Sequence, residues 1–304
     1  MNRVGKIAYQ GWPSCYRLSN DLVEVIITTD VGPRLIRFGF PGGNELAEIS
    51  GELGKTGGET FRLYGGHRLW HAPESRERTY YPDNGPIALE QRGEDVRVIQ
   101  PTEPTTGIQK EMEISLSPNE AQLRILHRLR NHNLWAVELS VWGLTAMAPG
   151  GTAIIPLPPR GRHPEDLAPG STFTIWSYTD LSDPRWTWGR KYVLLRHDPD
   201  RPSPQKIGAS VPDGWVAYTR AGHLFVKNSQ YVPGATYPDF GSSFEVFADG
   251  HMLELESLNP LTRLEPGETV EHTERWFLWR DVPMPRGDDD IDGHILPKLA
   301  QVLT

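Results

Sequence analysis

The stretch from residue 243 to residue 260, SFEVFADGHMLELESLNP, decides the fold class. Apolar and polar residues alternate on both sides of Ala248-Asp249-Gly250, and alternation with a period of two is typical of a half-buried strand. An Asp-Gly pair between two such runs is the strongest short-range signal of a hairpin. The stretch therefore predicts two antiparallel strands, over residues 243–247 and 251–255.

The same alternation recurs along most of the chain. Residues 108–116 and 123–129 have it, and residues 216–226 predict a second hairpin around Ala221-Gly222. Only residues 291–303 have helical spacing, which Pro297 weakens. Because the strands follow one another through short turns without intervening helices, we expect antiparallel sheets.

The domain organisation follows from this pattern. No linker, repeat or low-complexity tract divides the sequence, so we expect residues 1–304 to form one domain. The predicted fold class is all-β: a large antiparallel β-sandwich with few helices. Residues 281–304 are expected to form a C-terminal tail.

Composition excludes several classes of function. With 38% hydrophobic and 23% charged residues, the sequence is of ordinary globular type. A net charge of −8 with scattered basic residues argues against a nucleic-acid partner. No apolar run approaches the roughly 20 residues of a membrane span, and residues 1–6 lack the apolar core of a signal peptide. We therefore expect a cytoplasmic monomer or homodimer that binds a small polar molecule and no membrane.

Metal and cofactor chemistry has little support in the sequence. Cys15 is the only cysteine, which excludes an intramolecular disulfide and a cysteine-cluster metal site. His67 and His71 would be close enough to bind one metal ion together only in a helix, and Pro73 disfavours a helix there. We expect no metal and no cofactor.

A second chemistry-rich stretch, GGHRLWH, begins at residue 65, and YYPDNGP follows at residues 80–86. Adjacent glycines and nearby prolines predict a loop or a strand end, where backbone can approach a ligand and polar side chains can converge. His67 and Asp83 are the candidate catalytic groups of these stretches. The candidate ligand contacts are Arg68, Trp70, His71 and Asn84.

Paired carboxylates mark the strand near residue 255. Alternation places Leu253 and Leu255 in the core and Glu254 and Glu256 together on the opposite face. The two carboxylates lie roughly 6.6 Å apart along a strand, so each raises the pKa of the other unless a cation intervenes. Such a pair suits acid and base catalysis. A solvent-facing strand with ordinary acids is the alternative.

Residues 255–260, LESLNP, resemble the catalytic-glutamate strand of the aldose 1-epimerases, or galactose mutarotases. The strand carries a Leu-Glu pair and is followed by Asn-Pro, as in that family. Six further stretches resemble an uncharacterised bacterial branch of mutarotase-like proteins: residues 65–70, 142–145, 149–151, 237–239, 264–268 and 274–276. The resemblance extends over most of the chain.

The resemblance implies a supersandwich, a large twisted β-sandwich in which a sugar lies across a concave sheet. In mutarotases a glutamate takes the proton of the anomeric hydroxyl and a histidine protonates the ring oxygen, so that the ring opens and closes as the other anomer. Glu256 matches the glutamate by motif, and His67 is similar in placement to the first family histidine. His132 matches the second, although Leu134-Trp135-Ala136-Val137 replaces the family's Tyr-Phe-Asn-Leu.

Further candidate sugar contacts are spread over later strands and loops. Lys227 follows an apolar strand, where it is either a surface lysine or a partner for carboxylates. Asp239 binds sugar hydroxyls or caps a turn, and Trp142 is a core residue or a sugar platform. The remaining two are Tyr237 and Glu254, and Glu254 is expected to bind Lys227 or Arg68.

These observations predict a carbohydrate-active protein that transfers protons on a sugar or sugar acid. Arg68 and Lys227 favour an anionic ligand. One alternative is a glycoside hydrolase or polysaccharide lyase of the same fold, which would use Glu256 with Asp83 or Asp239 across the cleft. The other alternative is a sugar-binding protein without catalytic activity.

Overall fold

Two large antiparallel sheets make up most of the structure, a computed structural model that describes residues 2–303. The strands are β1 Arg3–Tyr9, β2 Trp12–Ser19, β3 Glu24–Thr28, β4 Arg34–Gly39, β5 His67–Ala72, β6 Ala88–Arg92, β7 Asp95–Ile99, β8 Ile108–Leu116, β9 Gln122–Asn131, β10 Val137–Met147, β11 Thr152–Pro156, β12 Phe173–Ile175, β13 Trp186–Trp188, β14 Tyr192–Arg196, β15 Gln205–Ala209, β16 Trp215–Arg220, β17 His223–Ser229, β18 Phe244–Ala248, β19 Leu253–Leu258, β20 Thr262–Leu264 and β21 Thr269–Trp279.

The strand order confirms the predicted antiparallel β-sandwich. The first sheet has eleven strands in the order β1-β2-β3-β4-β5-β10-β19-β18-β15-β12, and β20 also pairs with β10. The second sheet has ten strands in the order β13-β14-β11-β16-β17-β21-β9-β8-β7-β6. Neighbouring strands run antiparallel in both sheets.

The main core lies between the two sheets. Leu253 and Leu255 of β19 share one buried cluster with Met112 and Ile114 of β8, as the alternation of both strands predicts. Burial of each such side chain stabilises the fold by roughly 1.5–3 kcal/mol. Alternate residues of the strands in the first sheet therefore point away from the second sheet, and we call that side of the first sheet its outer face.

The two predicted hairpins form with different turns. Ala221 and Gly222 both have positive φ, 51° and 79°, as a tight two-residue turn between β16 and β17 requires. The turn between β18 and β19 is longer, because Asp249 Oδ1 accepts hydrogen bonds from the backbone of His251 and Met252. Strand β19 consequently begins at Leu253, two residues later than predicted.

The C-terminal residues pack onto the second sheet. Two short helices, Asp288–His294 and Leu296–Leu299, meet near the predicted break, and the first begins three residues before the predicted helical stretch. Ile291, Ile295 and Leu299 are buried against that sheet's far side. A further one-turn helix is Arg76–Thr79. No helix within residues 2–303 combines the length and apolar character needed to cross a membrane.

The GGHRLWH stretch starts a central strand. Gly65 and Gly66 have φ of 87° and 69°, and a Cβ on Gly66 would lie 2.2 Å from the carbonyl oxygen of Leu35. The glycines therefore allow the close approach from which β5 begins. The predicted strand end is found at Gly65-Gly66, whereas all residues of β5 are buried.

Candidate functional site

The outer face of the first sheet carries a row of charged side chains. Register places Arg68 of β5 beside Leu144 of β10, and Leu144 beside Glu256 of β19. Glu245 of β18 lies directly opposite Glu256. Glu254 is on the same face, as predicted, and donors of Arg68 reach its carboxylate at 2.6 and 3.4 Å.

Lys206, Glu245 and Glu256 form a cluster that we call the carboxylate cluster. The Lys206 Nζ atom lies 2.7 Å from Glu245 Oε2 and 2.9 Å from Glu256 Oε2. Trp142 Nε1 donates a hydrogen bond of 2.9 Å to the same Glu256 oxygen. All four side chains are buried. A single ammonium is therefore shared by two buried carboxyl groups.

The electrostatics favour one proton on this cluster. Burial raises the pKa of Glu245 well above its usual value, against the opposing effect of Lys206. Burial also raises the pKa of Glu256, with Lys206 opposing and Glu254 adding to the rise. Glu245 Oε1 has no hydrogen-bond donor among the described residues and Glu245 Oε2 meets only Lys206, whereas Glu256 Oε2 has both Lys206 and Trp142, so a negative charge is less favoured on Glu245. Of the two carboxyl groups, Glu245 is therefore the one better placed to hold a proton.

An aromatic cleft lies above the cluster. The Lys206 Nζ atom is 4.9 Å from the ring centre of Trp142 and 4.6 Å from that of Trp176. Both rings line a cleft of about 850 Å³, in the range that holds drug-sized ligands. Tyr80, Glu74 and Asp239 also line it. Of the predicted site residues, Trp142 and Asp239 are thus at the cleft itself.

Two further cations of this face, Arg68 and Arg34, have internal partners. Arg68, whose guanidinium also stacks on Trp70 at 4.4 Å, is paired with Glu254. Arg34 is paired with Asp83 at 2.6 Å, and both side chains are buried. Asp83 is consequently held by an ion pair away from the residues that line the cleft.

Strand alternation places His67 on the opposite side of the first sheet from Arg68. His67 Nε2 lies 2.8 Å from His127 Nε2, and His67 Nδ1 lies 2.9 Å from Thr145 Oγ1. His67 is fully buried between the sheets. The structure therefore does not bring His67 to the cleft or to Glu256.

Lys227 also lies between the sheets and not on the surface. Its ammonium is 2.9 Å from Glu274 Oε1 and donates to the carbonyl oxygens of Gly143 and Leu255 at 2.6 and 3.0 Å. Together with His67, His127 and His272, this ion pair forms what we call the interior cluster. Lys227 is thus no partner of Glu254 or of a ligand in the cleft.

The interior cluster includes a group with metal-ligand chemistry. His67, His127 and Glu274 have ligand atoms within 4.8 Å of one another. However, the two histidine nitrogens are 2.8 Å apart, closer than the about 3.3 Å that tetrahedral zinc imposes on two nitrogens. The Glu274 oxygens already accept from Ser257, Trp276 and Lys227. The geometry fits a hydrogen-bonded network better than a metal site.

Acid is expected to destabilise the protein through the buried histidines. Burial lowers the pKa of His272 to about 3, and it also lowers those of His67 and His127. In the unfolded chain each histidine binds a proton near pH 6.5, so stability is complete above about that pH and falls as the pH drops towards the folded pKa. Each such group removes about 1.4 kcal/mol per pH unit.

Urea unfolding at pH 7, 6 and 5 measures this loss. His272→Gln should flatten the dependence, whereas a change at the exposed His132 should leave it as in the wild type. Constant stability between pH 7 and pH 5 would contradict the assignment.

Four predicted contacts lie elsewhere. His71 is buried on the inner side of β5, with its Nε2 atom 3.8 Å from Glu103. Asn84 donates to the carbonyl of Thr60, and Tyr237 accepts from the backbone of Val232. His132 is an exposed residue at the end of β9. None of the four lines the cleft.

Solved structures share this architecture. A proposed aldose 1-epimerase from Klebsiella pneumoniae superposes with a TM-score of 0.59 at 10% identity, over 98% of this chain and 86% of that one. A galactose mutarotase-like protein from Lactobacillus casei gives a TM-score of 0.53 at 12% identity, over 88% and 100%. This chain has the galactose mutarotase-like fold.

Other comparisons limit what this likeness implies. A TPR-domain containing protein from Parabacteroides distasonis is 16% identical, with a TM-score of 0.57 over 89% of this chain and 48% of that one, so this chain spans about half of that protein. No protein-family model and no curated protein matches the sequence. The mutarotase-like fold is shared, and the chemistry of this chain must be argued from its own residues.

Several residues of the candidate site were not predicted from the sequence. Lys206 lies in the five-residue buried strand β15, whose sequence QKIGA has no clear alternation. Trp176 follows the edge strand β12 in a loop-rich region. Glu245 did alternate with Phe244 and Val246 in the predicted hairpin, and this signal could have identified it as an acid facing away from the core.

Proposed function

We propose that the protein binds an uncharged sugar in the aromatic cleft and interconverts its anomers by proton transfer. The observation that carries the proposal is the carboxylate cluster, where Glu245 and Glu256 share the single ammonium of Lys206. A protonated carboxyl beside an ionised one supplies an acid and a base of the same kind at neutral pH.

Each member of the cluster has a role in this proposal. Glu256, kept ionised by Lys206 and Trp142, removes the proton of the anomeric hydroxyl. Glu245 gives its proton to the ring oxygen, so the C1–O5 bond breaks and an open-chain aldehyde forms. Rotation about C1–C2 and the reverse transfers close the ring as the other anomer. Glu245 thereby fills the role that a histidine has in mutarotases.

The cleft offers the contacts that a sugar needs. Trp142, Trp176 and Tyr80 present aromatic rings to the apolar face of a pyranose. Glu74 and Asp239 contribute carboxylates that can accept hydrogen bonds from sugar hydroxyls.

An uncharged ligand is expected, because the cations of the cleft floor are paired with carboxylates and the rim carries two carboxylates, Glu74 and Asp239, against one guanidinium, Arg76. Arg68 and Lys227, which favoured an anionic ligand in the sequence, are paired with Glu254 and Glu274. A uronic acid should bind about ten-fold more weakly than the neutral parent sugar, since the carboxylates of Glu74 and Asp239 outnumber the single guanidinium of Arg76. Calorimetric titration with both ligands tests this expectation. Asp239→Asn should reduce the difference in affinity between them. Tighter binding of the uronic acid would contradict an uncharged ligand.

A sugar-binding role without catalysis is the second candidate. The burial of Glu256 favours this role, because its side chain is only 1% exposed beneath Trp142. Hydrolysis or elimination with Asp239 as the second carboxylate is a further outcome that the same assay detects.

Exchange NMR decides between these functions. Neutral aldoses and reducing disaccharides are added to the purified protein, and the rate of interconversion between their anomers is measured. Accelerated exchange that requires Glu256 supports the proposal. Saturable sugar binding without exchange supports the binding role instead.

A further inference from the structure

A strained turn stands at the rim of the cleft. Within Pro238–Gly241, Asp239 and Phe240 have φ of 48° and 59°, in the left-handed region. Asp tolerates this conformation, but a bulky aromatic residue there is a genuine outlier. Such strain persists only where surrounding contacts fix it, and it concentrates at functional sites.

Hydrogen bonds from two directions hold the turn in place. The carbonyl oxygen of Asp239 accepts from Thr174 Oγ1 at 2.6 Å and from Ser242 Oγ at 2.9 Å. The backbone N–H of Ser242 donates to Pro238 at 3.0 Å. Thr174 lies in β12, two residues before Trp176, so one contact ties the turn to the strand that leads into the cleft wall.

The strained conformation exposes an aromatic side chain. Phe240 is 89% exposed, although its neighbour Asp239 lines the cleft. An exposed phenylalanine in a strained backbone has no benefit for folding, because it buries no apolar surface and the backbone geometry costs stability. A benefit in ligand binding accounts for both features.

The size of the cleft indicates what this aromatic residue meets. A volume of about 850 Å³ lies near the upper end of the range for small-molecule sites and exceeds what one pyranose ring occupies. Trp142 and Trp176 at the floor of the cleft provide a stacking surface for one sugar ring.

Resting on the proposed function, we infer that the turn Pro238–Gly241 forms a second sugar subsite and that the ligand is a reducing oligosaccharide of two or more rings. The reducing ring lies over Trp142, above the carboxylate cluster. The neighbouring ring stacks on Phe240 and binds the Asp239 carboxylate with its hydroxyls.

Calorimetry with matched saccharide series tests the subsite. Glucose, galactose and mannose are compared with neutral disaccharides and trisaccharides that carry each of them at the reducing end. At least one disaccharide should bind about ten-fold more tightly than its monosaccharide. Phe240→Ala should remove this gain and leave monosaccharide binding unchanged, whereas Phe240→Trp should keep it. Leu134→Ala, a change at an equally exposed residue in the loop after β9, should have no effect.

A second variant tests whether the strained backbone at Phe240 serves ligand binding or folding. Phe240→Gly fits the left-handed backbone, so it should raise Tm while losing the disaccharide gain. Equal affinity for monosaccharides and oligosaccharides, or a gain that survives Phe240→Ala, overturns the subsite but leaves the proposed function standing. Failure of every saccharide to bind overturns both.

Discussion

Glu256→Gln is expected to abolish anomer exchange while it leaves sugar binding nearly intact. Glutamine keeps the shape of the side chain and can still accept from Lys206 and Trp142, but it cannot take a proton from the anomeric hydroxyl. The loss should be about 10²–10⁴-fold in kcat, the usual contribution of a general base. KM should change little, because the ring contacts of the cleft remain.

The same substitution removes the acid as well as the base. With one carboxylate replaced, Glu245 is the only negative partner of Lys206, and the ammonium then favours its ionised form. The double variant Glu245→Gln/Glu256→Gln should therefore lose no more activity than Glu256→Gln alone. Glu254→Gln, on the same face but paired with Arg68, should shift the pH profile and cost less activity. Full activity in Glu256→Gln, measured by exchange NMR, would contradict the assigned base.

Lys227→Met is expected to cost the fold about 3–5 kcal/mol, the usual effect of removing one partner of a buried ion pair. In the wild type, Lys227 and the histidines outweigh the effect of burial and hold the pKa of Glu274 below its usual value. The substitution leaves this fully buried carboxylate without a cation. The substitution also removes the donor to the carbonyl oxygens of Gly143 and Leu255, so β10 and β19 of the first sheet each lose a hydrogen bond to the second sheet.

Urea unfolding of a double-mutant cycle measures this effect. Lys227→Met combined with Glu274→Gln should recover part of the loss, because no buried charge is then unpaired. Lys191→Met is the matched control, since Lys191 pairs with Asp292 at an exposed position and its removal should change the stability little. A loss in Lys227→Met no larger than that of the control would contradict the buried ion pair.

Much of the fold could be predicted because alternation is strong and local. The runs around Met112 and Leu255 and the turn at Ala221-Gly222 identify strands and hairpins without any long-range information. The order of strands within the sheets has no such local signal, because it depends on pairings between distant segments such as β5 with β10.

The candidate site was predicted less completely, and register is the main reason. A three-residue turn at Ala248-Asp249-Gly250 would have placed Glu245 opposite Leu253, three residues away from the observed register. The capping role of Asp249 lengthens the turn and brings Glu245 opposite Glu256. A different reason applies to His67 and Arg68, because adjacent residues of a strand point to opposite faces. Once β5 is a strand, both cannot reach one ligand.

Buried polar residues are the other limit on prediction. Lysine is almost never fully buried unless it is paired, so the sequence alone contains no signal for Lys206 and leaves Lys227 as either a surface residue or a partner for carboxylates. Their partners are distant in sequence, Glu256 for one and Glu274 for the other. Only the packing of the two sheets reveals which of these cations faces the cleft and which lies in the interior.

The proton shared by Glu245 and Glu256 is the central element of the proposed chemistry, and carboxyl NMR measures it directly. With ¹³C-labelled glutamate, one carboxyl signal should have the shift of a protonated acid at pH 7 and should disappear in Glu245→Gln. Glutamates that are all ionised at pH 7 would contradict the account, because no acid would then be available to open the sugar ring.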